Sequence, residues 1–210
     1  MTDINIADAP HILIAGTTGS GKSVLLNHFI NQIVNAPQDK FTQFIFIDPK
    51  RVDLRKWSKL ARNTIYADNP RDAERALRGV SIAMEKRYKE LIKKKQTKII
   101  GNYMFVVIDE LADLFLSDYG KYIKKELQHI LQLGRAANIH VIAATQAPNR
   151  KIIPAELVLN FTHRVALRCI SPIESRQIIG VAGAENLPQY GKALVLTPEG
   201  LTTLIIPPPA

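Results

Sequence analysis

Gly16-Thr17-Thr18-Gly19-Ser20-Gly21-Lys22-Ser23 is the stretch that decides the fold. It matches in full the pattern GxxxxGK followed by Ser or Thr. An apolar run at 11–15 precedes it, and an amphipathic stretch with Leu25, Phe29 and Ile33 follows it. In such a strand–loop–helix context, glycines let backbone N–H groups converge on phosphate oxygens, and the positive end of the helix dipole faces the same anion. The sequence therefore predicts a nucleoside triphosphate site, the alternative being a glycine-rich turn without a ligand.

The loop also predicts how ATP and Mg²⁺ are held. The ammonium group of Lys22 would neutralise the β- and γ-phosphates, and the hydroxyl of Ser23 would bind the metal. The predicted nucleotide contacts are Gly16, Thr17, Thr18, Gly19, Ser20, Gly21, Lys22, Ser23 and Val24.

Two acids, Asp109 and Glu110, follow a second apolar run at 105–108. At the end of a buried strand Asp109 would hold Mg²⁺ through water, and Glu110 would orient and deprotonate the attacking water. A different interpretation is that the two acids cap the next helix, predicted at 111–116. The glutamate favours hydrolysis coupled to work.

A third apolar run, 139–144, ends in Thr145 and Gln146. Both side chains can form hydrogen bonds, so this pair is a candidate sensor of the γ-phosphate at the edge of the pocket. The alternative is that the two residues begin a polar loop.

Short apolar runs alternate with amphipathic stretches along the whole chain. Runs of Ile, Val and Phe with little polar alternation are typical of strands buried on both faces of a parallel sheet. The predicted strands are His11–Ala15, Phe44–Ile47, Phe105–Ile108, Val141–Ala144 and Arg164–Leu167. The longest predicted helix runs from Pro70 to about Lys95. We therefore predict an α/β fold in which a mainly parallel sheet is sandwiched between helices and binds its ligand at the carboxyl ends of the strands.

Length and composition limit the class of protein. The 210 residues suit one domain, expected at 1–206 and followed by a proline-rich tail at 207–210. No apolar run approaches the roughly 18 residues that a membrane helix needs. The one cysteine, Cys169, favours a reducing, cytoplasmic location. The net charge of +9 suits a polyanionic partner such as nucleic acid.

Several segments together resemble the FtsK/SpoIIIE family of DNA translocase motors. They occur in the family's order and span nearly the whole chain: Ala15–Asn27, Ile47–Leu54, Glu85–Tyr88, Val107–Leu114, Gly134–His140, Ala144–Gln146, Ile173–Arg176 and Gly183–Glu185. The resemblance implies a RecA-like P-loop domain that assembles as a ring, usually a hexamer, around double-stranded DNA. It also implies that hydrolysis of Mg-ATP pumps the DNA through this homo-oligomer.

The resemblance assigns further residues. Glu110 and Gln146 are implied as catalytic, and Thr145 matches the sensor position. Arg135 lies in the family's arginine-bearing segment and is the first candidate for a finger that reaches the γ-phosphate of the neighbouring subunit. Arg176 is the second candidate. A planar guanidinium supplied by a neighbour stabilises charge on the transferring phosphoryl group and links hydrolysis to the next subunit. A surface salt bridge is the alternative for either arginine.

The sequence departs from the family pattern in places. Asn138 stands where the family has a glycine, and we expect either an isolated motor core or a minimal version carried by a plasmid, virus or mobile element. For DNA contacts we predict a mobile loop at 116–125, with a helix beginning at Glu126. The candidate basic residues are Lys121, Lys124, Lys125, Arg150 and Lys151, unless these are solvated surface side chains.

Other functions fit parts of this pattern. Within the same superfamily the alternative is a conjugation-coupling or viral DNA-packaging ATPase. From another class, the alternatives are a soluble NTP-binding switch or small-molecule kinase, and a DNA-binding subunit that uses ATP only to assemble.

Overall fold

A computed structural model describes residues 4, 6, 9–36, 41–146, 148–206 and 208. Within this part of the chain, strands and helices alternate. The strands are β1 (His11–Ala15), β2 (Gln43–Ile47), β3 (Thr64–Ala67), β4 (Met104–Ile108), β5 (Ile139–Thr145), β6 (His163–Ala166), β7 (Lys192–Thr197) and β8 (Gly200–Ile205). The helices are α1 (Lys22–Asn35), α2 (Arg55–Leu60), α3 (Pro70–Lys94), α4 (Leu111–Leu116), α5 (Gly120–Leu133), α6 (Ala155–Leu159) and α7 (Pro172–Ile179), and a 3₁₀ turn spans Ala184–Asn186.

The eight strands form one sheet in the order β3-β2-β4-β5-β1-β6-β7-β8. The first six in this order are parallel, and β7 and β8 extend the sheet as an antiparallel hairpin. Because β1, β2, β4 and β5 are parallel neighbours, the loops that follow them meet at one edge of the sheet. We call this the carboxyl edge, and we call the opposite edge, where β1 and β5 begin, the amino edge.

Alternate residues of the central strands face two different cores. One face contributes residues such as Leu13, Ile45 and Val106 to a core shared with α3, α4 and α5. The other face contributes residues such as Ile14 and Phe46 to a core shared with α1. Burial on both faces explains why these strands are almost wholly apolar, and it produces the predicted three layers.

Most of the predicted elements are confirmed, with small differences at their ends. Five strands lie where the sequence predicts them, and the long helix ends at Lys94. The prediction missed β3, β7 and β8. Of the tail predicted at 207–210, only Pro208 lies within the described residues, and it is exposed.

The prediction of a mobile loop at 116–125 is wrong. Helix α5 begins at Gly120 and not at Glu126, so all three candidate lysines of this segment, Lys121, Lys124 and Lys125, lie on the helix. Ile123, four residues before the buried Leu127, is itself fully buried against the core. This i, i+4 spacing fixes the helix, and the lysines occupy its remaining faces.

None of the helices in the described part of the chain is long and apolar enough to cross a membrane.

Candidate nucleotide site

The loop at 16–23 leaves β1 and enters α1 with a backbone that only glycine adopts easily. Gly19 and Gly21 have φ angles of 78° and 96°, in the left-handed region. At Gly16 the limit is space, because an added Cβ atom would lie 2.5 Å from the Cβ atom of Leu167. The curled loop predicted from the sequence is therefore present, and each of these glycines has a structural reason.

Residues from the far end of the chain cover this loop. The side-chain amide of Gln189 donates a hydrogen bond to the backbone oxygen of Thr18 over 3.1 Å. The ring of Tyr190 packs so closely that a Cβ atom on Gly21 would lie 2.8 Å from it. The loop and Tyr190 border a cavity of about 260 Å³. It is lined by Thr17, Thr18, Gly19, Gly21, Lys22, Ser23, Val24, Gln146 and Tyr190.

Lys22 and Asp109 form a buried ion pair at the base of the loop. Nζ of Lys22 lies 3.2 Å from Oδ1 of Asp109 and donates a second hydrogen bond to the Asp109 backbone oxygen, also over 3.2 Å. Burial raises the pKa of the Asp109 carboxyl group; the Lys22 ammonium opposes that rise, and the nearby Asp53 and Asp48 carboxylates add to it. The phosphate loop and the first predicted acid therefore lie side by side.

Ser23 is engaged by an acid that the sequence analysis did not single out. Its Oγ donates a hydrogen bond to Oδ2 of Asp53 over 2.8 Å. A hydroxyl has one hydrogen and two lone pairs, so this bond leaves the lone pairs of Ser23 available to a cation. The donor set of Ser23 and Asp109 consists of hard oxygens, which is the chemistry that Mg²⁺ prefers. These side chains therefore fit the predicted metal.

Asp53 belongs to segment 48–54, which follows β2 and closes on itself. Oδ2 of the fully buried Asp48 accepts hydrogen bonds from the Leu54 amide over 3.0 Å and from the Tyr66 hydroxyl over 3.3 Å. Burial, followed by the Asp48 charge, raises the pKa of Tyr66 to about 12, so this hydroxyl stays a donor. The closed turn brings Asp53 to the phosphate loop and Lys50 to the second acid.

Glu110 lies almost wholly buried between the ends of β2 and β5. Its Oε1 accepts from the hydroxyl of Thr145 over 2.8 Å and from the backbone amide of Gln146 over 3.1 Å. Its Oε2 contacts Nζ of Lys50 at 3.1 Å. It makes no side-chain capping bond to α4, so the capping interpretation is wrong for this residue. Gln146 also accepts from the Thr18 hydroxyl over 3.0 Å, which joins the third motif to the phosphate loop.

The segment 48–54 carried a signal that the sequence analysis used only for the resemblance. Asp48 closes this segment, and Lys50 and Asp53 contact the site. All three follow an apolar run, as Asp109 and Glu110 do. The rule that ligand-binding residues follow parallel strands applies to this segment as well. Their individual partners depend on the pairing of β2 with β4, which no local motif encodes.

The two arginine candidates lie outside this cluster. Arg135 is exposed and precedes β5, at the amino edge; the seven residues of that strand span roughly 20 Å, which separates it from the phosphate loop of its own chain. Arg176 is exposed on α7. Among the residues that the structure describes, neither arginine lines the cavity or forms an ion pair.

Comparisons with known proteins agree with this geometry. Residues 2–102 and 98–150 match the model of the FtsK/SpoIIIE family. The DNA translocase FtsK of Chlorobaculum tepidum is 36% identical over 211 residues, which cover 90% of this chain and 26% of the relative. The chain thus spans about a quarter of the length of the curated relatives it matches.

Two solved structures share the fold. The pCW3 conjugation coupling protein TcpA, with ATPγS, has a TM-score of 0.85 at 24% identity, covering 96% of this chain and 61% of that one. The genome packaging NTPase B204 of Sulfolobus turreted icosahedral virus 2 has a TM-score of 0.62 at 17% identity, covering 96% and 98%. These likenesses confirm the predicted class, a RecA-like P-loop domain.

Proposed function

Because the chain belongs to the FtsK/SpoIIIE family, we propose that it is a motor domain that hydrolyses ATP and uses the energy to move double-stranded DNA. One observation carries the hydrolytic part of this proposal. The glycine-built loop at 16–23 and the acids Asp109 and Glu110 converge at the carboxyl edge of the sheet, with Lys22 and Asp109 in direct contact. A loop that holds phosphates beside two acids is the arrangement that phosphoryl transfer to water requires.

Within this site we propose separate roles for the loop and the first acid. The backbone N–H groups of the loop and the ammonium of Lys22 bind the phosphates, for which Lys22 exchanges part of its contact with Asp109. Ser23 and Asp109 would hold Mg²⁺, which when bound neutralises charge on the phosphate oxygens. The carboxylate of Asp53 orients the Ser23 hydroxyl by accepting its hydrogen.

Glu110 is the proposed general base. Its carboxylate accepts a proton from water, and the donors that surround it fix the direction in which its oxygens face. Thr145 and Gln146 contact Glu110, and Gln146 also contacts Thr18 in the phosphate loop. This chain of contacts supports a sensing role for the pair, because a change at the phosphates is passed to the base through two hydrogen bonds.

We further propose a ring of identical subunits. Arg135 is exposed at the edge opposite to its own phosphate loop. A guanidinium in that position serves the site of a neighbouring subunit rather than that of its own chain. Its place supports the choice of Arg135 over Arg176, which the family resemblance left open.

Double-stranded DNA is the proposed partner, and the cytoplasm the proposed location. The support for DNA is the curated relatives, which are named DNA translocases, together with the net charge of +9. A motor that passes any sequence holds the phosphate backbone rather than base edges, and a basic protein suits that task.

The test measures the ATPase rate against added linear duplex DNA, with the molecular mass of the protein–DNA complex determined in parallel. We expect duplex DNA to raise the rate and to promote assembly, and added salt to weaken both effects. Heparin is the control for charge alone and should bind without the same stimulation. A monomer whose hydrolysis ignores duplex DNA would point instead to a nucleotide switch or a small-molecule kinase.

A further inference from the structure

The carboxylate of Glu110 is held from both sides by hydrogen-bond donors. Its side chain is 3% exposed, and it accepts from the Thr145 hydroxyl, the Gln146 amide and the Lys50 ammonium. Thr145 and Gln146 belong to the end of β5, whereas Lys50 reaches it from the opposite side. A carboxylate buried to this degree needs such partners, because an unpaired charge is costly away from water.

The register of the sheet fixes this arrangement. Ile108 of β4 pairs with Ile47 of β2 and with Ala143 of β5, so β2 and β4 end at the same level and β5 continues for two more residues. Glu110 lies two residues past the end of β4, where it accepts from the hydroxyl of Thr145 at the end of β5. On the other side, the turn after β2 brings Nζ of Lys50 to 3.1 Å from the same carboxylate. The end of β5 and the turn after β2 therefore deliver donors from both sides to the same carboxylate.

Lys50 is held in place by its own turn rather than by chance contact at the surface. Asp48 closes segment 48–54 through the Leu54 amide, and the Arg51 amide donates to the Asp48 backbone oxygen over 3.0 Å. Burial disfavours the charged form of Lys50, but the charge and hydrogen bond of Glu110 outweigh this and raise the pKa of Lys50. The lysine is therefore a cation at neutral pH, and its ammonium group donates to Glu110.

We infer that Lys50 is a positioning residue for Glu110, which aims the carboxylate at the attacking water. This inference rests on the proposed function of the same site. Without the ammonium group, Oε2 of Glu110 keeps only a shared contact with the Gln146 amide at 3.2 Å. The carboxylate can then rotate, and a displacement of about 1 Å in a reacting group costs on the order of 100-fold in rate.

The experiment compares Lys50→Met, Lys50→Arg and the control Arg51→Met in the whole chain. Arg51 lies in the same turn, but its side chain pairs with Asp68 at the surface. For Lys50→Met we expect kcat to fall roughly 10- to 100-fold while the KM for ATP and the affinity for ADP stay unchanged. Lys50→Arg should recover most of the loss because a guanidinium also donates to a carboxylate, and Arg51→Met should behave as wild type.

Several outcomes would overturn the inference. Unchanged kcat in Lys50→Met would show that the contact has no part in turnover. A parallel loss of ADP affinity would show that Lys50 binds the nucleotide itself. An equal loss in Arg51→Met, or a lowered melting temperature in Lys50→Met that Lys50→Arg repairs without restoring kcat, would show a merely structural role.

The result is separable from the fate of the proposed function. If wild type hydrolyses ATP without responding to duplex DNA, the proposal that the protein moves DNA is wrong. The kcat ratio of Lys50→Met to wild type still tests the role of Lys50. If wild type binds ATP and never hydrolyses it, both are wrong.

Discussion

The two edges of the central sheet are built from the same parallel strands but differ in how their charges are arranged. At the carboxyl edge four charged groups, Lys22, Asp109, Lys50 and Glu110, form two ion pairs, each with at least one partner almost fully buried. At the amino edge the buried ionisable groups include His11, His140 and Arg87, and the nearby Arg135 is exposed. The first edge pairs its charges within the chain, whereas the second presents Arg135 to solvent.

The difference teaches what each edge can do by itself. The carboxyl edge contains loop, acids and hydrogen-bonding side chains in mutual contact, and so it can bind a nucleotide without help. None of the described residues that line its cavity is an arginine, although the backbone oxygen of Arg168 accepts from Thr17 of the loop. The amino edge has Arg135 and no phosphate loop. In the proposed ring, the amino edge of one subunit would face the carboxyl edge of another and supply Arg135 to its nucleotide site.

The largest effect is expected from Arg135→Ala. Loss of a guanidinium that acts on a neighbour's γ-phosphate should lower kcat on the order of 10³-fold or more, with ATP affinity little changed. The measurement is the DNA-stimulated ATPase rate. Arg62→Ala, at another exposed arginine, is the control and should be unaffected.

Mixing two inactive variants sharpens this test. In a ring formed from Arg135→Ala and Lys22→Ala subunits, some sites combine an intact loop with a neighbour's intact arginine, so part of the activity should return. If mixing restores no activity while each variant still assembles, Arg135 of one subunit does not act at the phosphate loop of another.

The next effect is expected from Glu110→Gln. Removal of the general base should lower turnover by roughly 10²- to 10⁴-fold and leave ATP binding intact, since the phosphate loop is untouched. Single-turnover hydrolysis and equilibrium binding of labelled ATP measure the two properties. Glu90→Gln, at a surface residue paired with Lys94, should change neither. Full activity in Glu110→Gln would show that Glu110 is not the general base.

The smallest effect concerns the amino edge and pH. Burial, the first cause at both sites, lowers the pKa of His11 to about 3 and that of His140 to about 4, from 6.5. The unfolded chain therefore binds more protons below pH 6.5, and stability falls as the pH drops from 6.5 towards 4. At pH 5.5 each histidine should cost about 1 kcal/mol of unfolding free energy relative to pH 7.5.

Urea unfolding at the two pH values measures that cost. His140→Gln should lose about half of the pH dependence attributable to the pair. His129→Gln is the control, because His129 is exposed and pairs with Glu85. Equal pH dependence in wild type and His140→Gln would mean that the amino edge tolerates charged histidines.

The sequence was most informative where burial is complete. Strands β1, β2, β4 and β5 are covered on both faces, so they appear as unbroken apolar runs and were predicted from them. Strand β3 lies at the edge of the sheet with only Ala67 buried, and β8 has a single buried residue. Their residues include β-branched and aromatic types that favour strands, but they form no continuous apolar run like those of the central strands.

The same limit applies to the site. The phosphate loop and the acids at 109–110 are local motifs, and each follows a predicted strand. Their placement together could be predicted because the carboxyl ends of parallel strands meet at one edge of the sheet. The contacts of Lys50 and Asp53 depend on which strand neighbours which, and on the turn that Asp48 closes. At α5 the information was local but was not used. The lysines were interpreted as a loop, although Ile123 and Leu127 have the i, i+4 spacing of a helix.

The hydrogen bond between Gln189 and Thr18 joins positions 171 residues apart in the chain. A ribosome adding about 5–20 residues per second needs roughly 10 to 30 s to make the polypeptide between them. Throughout that time the glycine loop has been synthesised but lacks Gln189, which donates a hydrogen bond to it, and Tyr190, which lines its cavity. The nucleotide pocket is thus completed only once Tyr190 has been made, and a newly made chain that stops before Tyr190 has the signature of an ATP site without its finished walls.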